Sequence, residues 1–381
     1  MAHPRLIVLQ PTPYCNINCT YCYLGSRDDR RLMSEAVVEA IRDKILARLP
    51  RDAMPSIVWH AGEPTAAPLS WYENAYAKLR PVCPPRTSFA MQSNGVAIDS
   101  RWIEFFLRTR TNVGLSIDGP QRFHDMRRRT RNGAPTWSLA MRALQRLHKA
   151  RIELNVISVL HPSSLDCPEE YYRFYRDNDI AEVSFSIDEK EGANIKSSFA
   201  EADYKERITE FLTILLESAY RDGFPLRIRE IERIAQVLAG VDSGAGENEQ
   251  VIAWDAVVVS VDGGVSTFSP ELVEVSAPQY SNFIFGNILE GNFDDFAAGE
   301  PFKLAHAHVN TGIAACRSEC RYFEICGGGS PVNKICEHND LAATETAFCR
   351  FSTQAAADAL LRFLSSRGNA ASAELRVRTT A

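Results

Sequence analysis

The strongest constraint on the fold is a change of hydrophobic period that recurs about six times before residue 190. Short β-rich runs occur at "RLIVLQ" (5–10), "SIVWHAG" (56–62), "TSFAMQ" (87–92), "NVGLSID" (112–118), "IELNVISVL" (152–160) and "AEVSFSI" (181–187). Between them lie "SEAVVEAIRDKILARL", "WYENAYAKL", "SRWIEFFLRT", "SLAMRALQRLHKA" and "PEEYYRFYRDN", whose apolar residues recur three and four apart. Ser34 and Asp99 stand where helix N-caps are expected. Strand, helix, strand in this succession predicts an α/β fold with a parallel sheet and crossover helices, open or curled toward a barrel. In such folds ligands collect at the C-terminal ends of the strands.

At that end of the first strand lies "YCNINCTYCYL" (14–24), which gathers Cys15, Cys19 and Cys22. No long apolar segment resembles a signal peptide or a membrane helix, so a cytoplasmic protein without membrane partners is expected. In a reducing compartment ten cysteines point to metals or reactive thiols before disulfides. Three thiolates on one loop can hold three corners of an iron-sulfur cube and leave the fourth iron without a protein ligand. A zinc site completed by a distant residue is the competing reading, as are buried unliganded thiols. The net charge of -6 argues against a nucleic-acid partner. The one basic cluster, "RRRTR" (127–131), reads as a solvated loop face.

The spacing CxxxCxxC, with Tyr21 before its last cysteine, resembles the radical S-adenosylmethionine enzymes. The resemblance continues in "AGEPT" (61–65), similar to a GGEP motif with Ala61 replacing the first glycine, and in "QSNG" (92–95), "LSIDGP" (115–120) and "HDMRR" (124–128). It implies a partial, TIM-like (β/α)6 barrel and a 4Fe-4S cluster on Cys15, Cys19 and Cys22, whose open iron binds S-adenosylmethionine. Gly62 and Glu63 would meet the methionine amino group; Tyr21, Ser93, Asn94, Ser116 and Asp118 would contribute to the cosubstrate site, and Arg128 would reach its carboxylate. One electron from an external reductant would cleave the sulfonium and give a 5'-deoxyadenosyl radical, which a closed cavity shields from water.

Beyond the barrel, residues 203–222 form a helix with an apolar stripe of Ile208, Phe211, Leu212 and Leu215, and "VDSGAGENEQ" (241–250) reads as a linker. "AWDAVVVSVDGGVSTFS" predicts a hairpin turning at Asp262 and Gly263. Residues 250 to about 352 read as irregular and contain Cys316, Cys320, Cys326, Cys336 and Cys349; spacing alone leaves zinc and iron-sulfur open. This segment resembles the SPASM extension of radical enzymes that modify peptides, which usually carries two auxiliary clusters. Ser269 and Ser330 stand where that extension commonly has cysteine, so one auxiliary 4Fe-4S cluster is expected, on Cys316, Cys320, Cys326 and Cys349. Cys336 is a possible substitute for Cys316. Cys83 and Cys167 read as structural, and His306 and His308 as exposed residues of a polar connector. The expected organisation is a barrel (1–195), bridging helices and loop (196–249), an auxiliary-cluster domain (250–352), and a final helix with a flexible tail (353–381).

"FSPEL", "FGNI", "CGGGSPVNK" and "ATETAFC" resemble a narrower group, the cyclophane-forming peptide maturases of the Grr and Xye type. The implied reaction removes a β-carbon hydrogen and joins that carbon to a nearby aromatic ring of a ribosomal precursor peptide. Glu271 is a candidate base for the proton that must then leave. The short segment before the first strand implies that the precursor's leader docks on the barrel or the extension. Rival readings are thioether formation or formylglycine-type oxidation on the same scaffold, and a non-catalytic iron-sulfur or zinc protein.

Overall fold

Six parallel strands lie side by side in chain order: β1 (Leu6–Leu9), β2 (Ser56–Trp59), β3 (Ser88–Ser93), β4 (Thr111–Ser116), β5 (Leu154–Leu160) and β6 (Glu182–Ile187). The computed structural model describes residues 3–240 and 248–367. Residues 241–247 of the expected linker and the tail beyond residue 367 lie outside the described residues. The short β7 (Arg227–Ile228) adds to β6 in parallel. On the other edge β8 (Ala256–Val259) runs parallel to β1, and β9 (Gly264–Thr267) and β10 (Gly286–Asn287) follow antiparallel. Among the described residues the sheet ends on β7 and β10 and does not close, which makes a partial barrel.

The alternation holds because each strand buries apolar side chains that a crossover helix covers. Ile7, Leu9, Ile57 and Val113 are fully buried, each such side chain contributing about 1.5–3 kcal/mol relative to exposure. Helix Leu69–Leu79 sets Tyr72 edge-on to Trp59 at 5.3 Å and to Trp102 of helix Ser100–Thr109 at 5.2 Å. Ser34 caps its helix through Val37 N, and Asp99 accepts from Arg101 N and Trp102 N, as the sequence predicts.

Two expectations for the C-terminal third need correction. The predicted hairpin forms, but β8 joins β1, so it continues the barrel sheet. The segment read as irregular also contains a 20-residue helix, Glu300–Glu319. Its buried stripe is Phe302, Ala305, Val309, Gly312 and Cys316; mostly small residues leave little hydrophobic contrast to read. His306 and His308 are therefore half-buried on a helix: His306 stacks on Phe302 at 5.5 Å, and His308 Nδ1 meets the Tyr280 hydroxyl at 2.7 Å.

Helix Ala355–Arg367 packs along Lys205–Asp222, with Arg362 bidentate to Glu206 at 2.7 Å. Ile208, Phe211, Leu212 and Leu215 are all buried. Among the described residues no helix is long and apolar enough to cross a membrane. Replacing Asp99 by Ala leaves two helix-terminal N–H groups without their acceptor, so chemical denaturation should show a loss of about 1 kcal/mol.

Candidate active site

The loop that leaves β1 is held from across the barrel mouth. Asn18 N donates to Arg129 O at 2.7 Å and Thr20 N to Arg127 O at 3.0 Å, with Ile17 bridged to Thr130. Arg131 Nε donates to Cys15 O at 2.8 Å, and its other nitrogens reach Arg27 O and Asp28. The basic run is thus a solvated face only in part: Arg129 and Arg131 are exposed, but Arg127 and Arg128 are buried, contrary to the sequence expectation. Arg127 and Arg128 are buried because Asp118, fully buried, requires counter-charge: Asp118 lies 3.4 Å from Arg127 and 3.7 Å from Arg128.

Cys15, Cys19 and Cys22 line one wall of a cavity of about 160 Å³ at the C-terminal ends of β1 to β4. Tyr21, Gly62, Glu63, Ser93, Asn94, Ser116 and Arg128 line it too. Asp118 does not. It stands behind the wall, where it accepts from the Tyr21 hydroxyl at 2.7 Å, and Arg128 donates to that same hydroxyl at 2.6 Å. Its visible role is to orient Tyr21 and Arg128 and not to face the cavity.

Glu63 is 2% exposed and its carboxylate accepts four hydrogen bonds: Thr65 N at 2.9 Å, Thr65 Oγ1 at 2.5 Å, Ser93 Oγ at 2.7 Å and Asn94 N at 2.7 Å. Asn94 Nδ2 reaches back to Asn16 Oδ1 at 2.8 Å and lies 3.8 Å from Cys15 Sγ. The ends of β2 and β3 are therefore tied to the cysteine loop. Gly62 has φ +64°, and a Cβ there would fall 2.4 Å from Thr12 O. Ala61 has φ 68°, a left-handed conformation that an alanine adopts only under strain.

Without metal Cys15 and Cys19 hold their protons. Burial, reinforced by Glu63, pushes Cys15 up to about 12, and burial pushes Cys19 up to about 11 against the opposing charge of Arg128. Loading a metal there displaces protons. The donor set fits a cluster with a cosubstrate: three thiols share one wall, and Arg128 Nε and His60 Nδ1 are buried without partners.

A second cavity, about 390 Å³, is lined by Cys316, Cys320, Cys326 and Cys349, the four predicted auxiliary ligands. Hydrogen-bond donors surround their sulfurs: Tyr322 N lies 3.4 Å from Cys320, Gly329 N 3.2 Å from Cys326, Gln354 Nε2 3.7 Å from Cys349 and Lys334 Nζ 3.7 Å from Cys316. Cys349 opens a π-helical turn, Cys349–Gln354, of the kind often found at functional sites. A hydrogen bond from Cys349 lowers the Cys326 thiol to about 6. Cys336 does not line this cavity. Among the described residues no three His, Cys, Asp or Glu side chains converge as ligands of a single metal ion. Thiolates that each bind a different iron of a cube need not do so.

Ser269 and Ser330 are buried; Ser269 Oγ donates to Glu271, and Ser330 Oγ has no partner. Glu271 acts electrostatically on Tyr23 and His60, two lining residues of the first cavity that sequence reasoning passed over. His60 directly precedes "AGEPT" and Tyr23 follows Cys22, so sequence adjacency to a motif was the available signal. Cys83 donates to Leu79 O at 3.3 Å and Cys167 accepts from Arg122, away from both cavities. Ala61→Gly should remove backbone strain and raise stability by about 0.5–1 kcal/mol after the entropy gained by the unfolded chain is deducted. Denaturant midpoints would check this.

Residues 9–175 match the Radical SAM superfamily. The uncharacterized protein sll1766 of Synechocystis is 34% identical over 363 residues, covering 94% of this chain and 91% of that protein. A cysteine-type anaerobic sulfatase-maturating enzyme of Clostridium perfringens is 26% identical over 348 residues, 86% of this chain and 88% of the relative. Among solved structures, native anSMEcpe with bound AdoMet and Cp18Cys peptide superposes with a TM-score of 0.76 at 20% identity and covers 99% of both chains. Streptococcus suis SuiB bound to precursor peptide SuiA superposes with a TM-score of 0.62 at 15% identity, over 91% of this chain and 76% of that one. At such identities the solved structures speak for the fold alone. The sequence match begins on β1, spans the cysteine loop and the strand ends that meet around it, and identifies residues 9–175 as a region of the radical SAM superfamily.

Proposed function

We propose that this chain is a radical S-adenosylmethionine enzyme that matures a ribosomally made peptide, forming a carbon-carbon crosslink between an aromatic side chain and the β-carbon of a nearby residue. The observation that carries the reading is the pairing of two thiol-lined cavities, one with three cysteines at the barrel mouth and one with four in the extension. Bound at the first, a 4Fe-4S cluster with one open iron and S-adenosylmethionine supply hydrogen-atom abstraction from an unactivated carbon.

The chain's own residues have separable tasks. Cys15, Cys19 and Cys22 hold the cluster while Glu63, fixed by Thr65, Ser93 and Asn94, presents a carboxylate edge to the cosubstrate's amino group. Arg128 offers its unpartnered Nε to the carboxylate. Tyr21 and Ser116 close the sides of the cavity. Cys316, Cys320, Cys326 and Cys349 hold one auxiliary cluster, a one-electron acceptor when oxidised; an external reductant supplies the first site. Support for the crosslinking subtype comes from the placement of its motifs. Glu271 of "FSPEL" acts on the residues of the first cavity, whereas Lys334 of "CGGGSPVNK" touches Cys316 of the second.

Formylglycine-type oxidation is the second reading, favoured by the sulfatase-maturating relatives. Coexpression with a candidate aromatic-rich precursor peptide separates the two. Crosslinking predicts a product two hydrogens lighter per ring, with tandem fragmentation interrupted between the joined residues and no reaction with hydrazines. An aldehyde that captures a hydrazine would overturn the crosslink, and absence of 5'-deoxyadenosine release with any peptide would overturn both. Replacing Cys15, Cys19 and Cys22 together by Ala should leave iron and sulfide for one cluster, not two.

A further inference from the structure

Beyond the cysteine loop two glutamates meet without a cation, Glu191 buried and Glu189 half-buried. The segment after β6 folds back on the cysteine loop: Ala193 N donates to Tyr23 O at 2.7 Å, and a Cβ on Gly192 would fall 2.4 Å from that same oxygen. This contact sets Glu189 and Glu191 beside Tyr23. Asn333 Nδ2 bridges them, donating to Glu189 and, at 3.1 Å, to Glu191 Oε1. Asn333 is 2% exposed and Glu191 7%. Among the described residues no salt bridge reaches either glutamate.

A second observation shows which way the pair faces. The Tyr23 hydroxyl is buried and has no hydrogen-bond partner, although it can both donate and accept. The carboxylates that act on it include Glu271 and Glu191, and Tyr23 itself lines the cavity of the cysteine loop. A polar group in that position connects the cavity with the carboxylates.

We propose that Glu189 and Glu191, bridged by Asn333 and approached through Tyr23 and Glu271, form the proton-accepting site for the substrate radical. The inference rests on the reading of the chain as a peptide-modifying radical enzyme and holds for either of its two products. In both, the substrate loses one hydrogen atom to the adenosyl carbon. It then loses one proton to the carboxylate pair and one electron to an oxidised iron-sulfur acceptor. For the crosslink, a new carbon-carbon bond forms before the ring C–H bond breaks, and its electron pair restores the aromatic ring once the odd electron has left. Two carboxylates bridged by one amide repel each other as anions and so accept a proton where a lone exposed glutamate would not. Burial holds Glu189 up at about 7 and also raises Glu191, where the charge of Glu189 adds to it, with Glu271, Glu337 and Cys336 as the acidic groups facing the pair and Lys190 the neighbouring cation.

The test compares wild type with Glu191→Gln and with the double Glu189→Gln/Glu191→Gln variant in the reconstituted enzyme, reading modified peptide formed per 5'-deoxyadenosine released. The ratio should fall by roughly a hundredfold, and Glu191→Asp should recover part of it. A ratio within about twofold of wild type in the double variant, outside the range expected for a lost general base, overturns the proposal. Should that variant not fold, Tyr23→Phe removes only the phenol oxygen, and an unchanged ratio there overturns it equally. A readout independent of turnover is the infrared carbonyl band of a protonated carboxylic acid. It should persist near neutral pH, disappear as pH rises through the raised values, and be missing from the double variant. If wild type released no 5'-deoxyadenosine with any peptide, the functional reading would fail, while the infrared band would still decide whether the pair holds a proton; no such band overturns the pair.

Discussion

The cysteine loop is usable only because a buried ion pair stands behind it. A loop of this length, carrying three metal-binding thiols, would sample many arrangements if tethered only at β1, and ordering it would cost about 1–2 kcal/mol per residue in backbone entropy. Asp118 offsets part of that cost. Its charge, unable to reach water, draws Arg127 and Arg128 inward, and the backbone they belong to then presents Arg127 O and Arg129 O to Thr20 N and Asn18 N. The loop is thereby held at both ends and in the middle. Removing one member of such a buried pair leaves an uncompensated charge, a strongly destabilising change.

Glu63 performs the matching task on the strand side. One carboxylate with four donors from the ends of β2 and β3 cannot shift without breaking several hydrogen bonds together, so the wall opposite the thiols is rigid. The extension inherits that rigidity through main-chain bonds. Because β8 pairs with β1 in register from Leu6 with Ala256 to Leu9 with Val259, and β9 pairs with β8, the segment bearing Ser269 and Glu271, which leaves β9, is tied through β8 to the strand that launches the cysteine loop. Two sites distant in sequence are thus referenced to one strand.

Much of the barrel was legible because its signals are local. Alternation of period placed all six central strands, and Ser34 and Asp99 announced their helices by side-chain chemistry alone. The thiols of the second cavity were legible from identity, since Cys316, Cys320, Cys326 and Cys349 face one space as expected. What sequence could not convey was burial of charge. Arg127 read as solvent-facing, and Arg128 only as a ligand of the cosubstrate, because nothing adjacent reveals that both pair with the buried Asp118. Glu189, Glu191 and Asn333 were invisible for the same reason: residues about 140 apart meet only after β6 and the helix Pro331–His338 are packed. The helix Glu300–Glu319 escaped because Ala305, Gly312 and Cys316 line its buried face in place of large apolar residues.

The space between the cavities gains meaning from Ser269 and Ser330. Each occupies a position where similar extensions commonly have cysteine, and both are buried. Thiolates in that space would bind metal and carry an electron. Hydroxyls cannot, and at Ser269 the neighbouring group is a carboxylate: Ser269 donates to Glu271, whose charge acts on both Glu189 and Glu191. Carboxylates packed this closely favour retaining protons, since each charge raises the cost of the next. On the proposal advanced above, the loss of two ligands did not leave a gap in the electron path alone. It turned the region into one that handles protons, leaving the four thiols beyond it to take the electron.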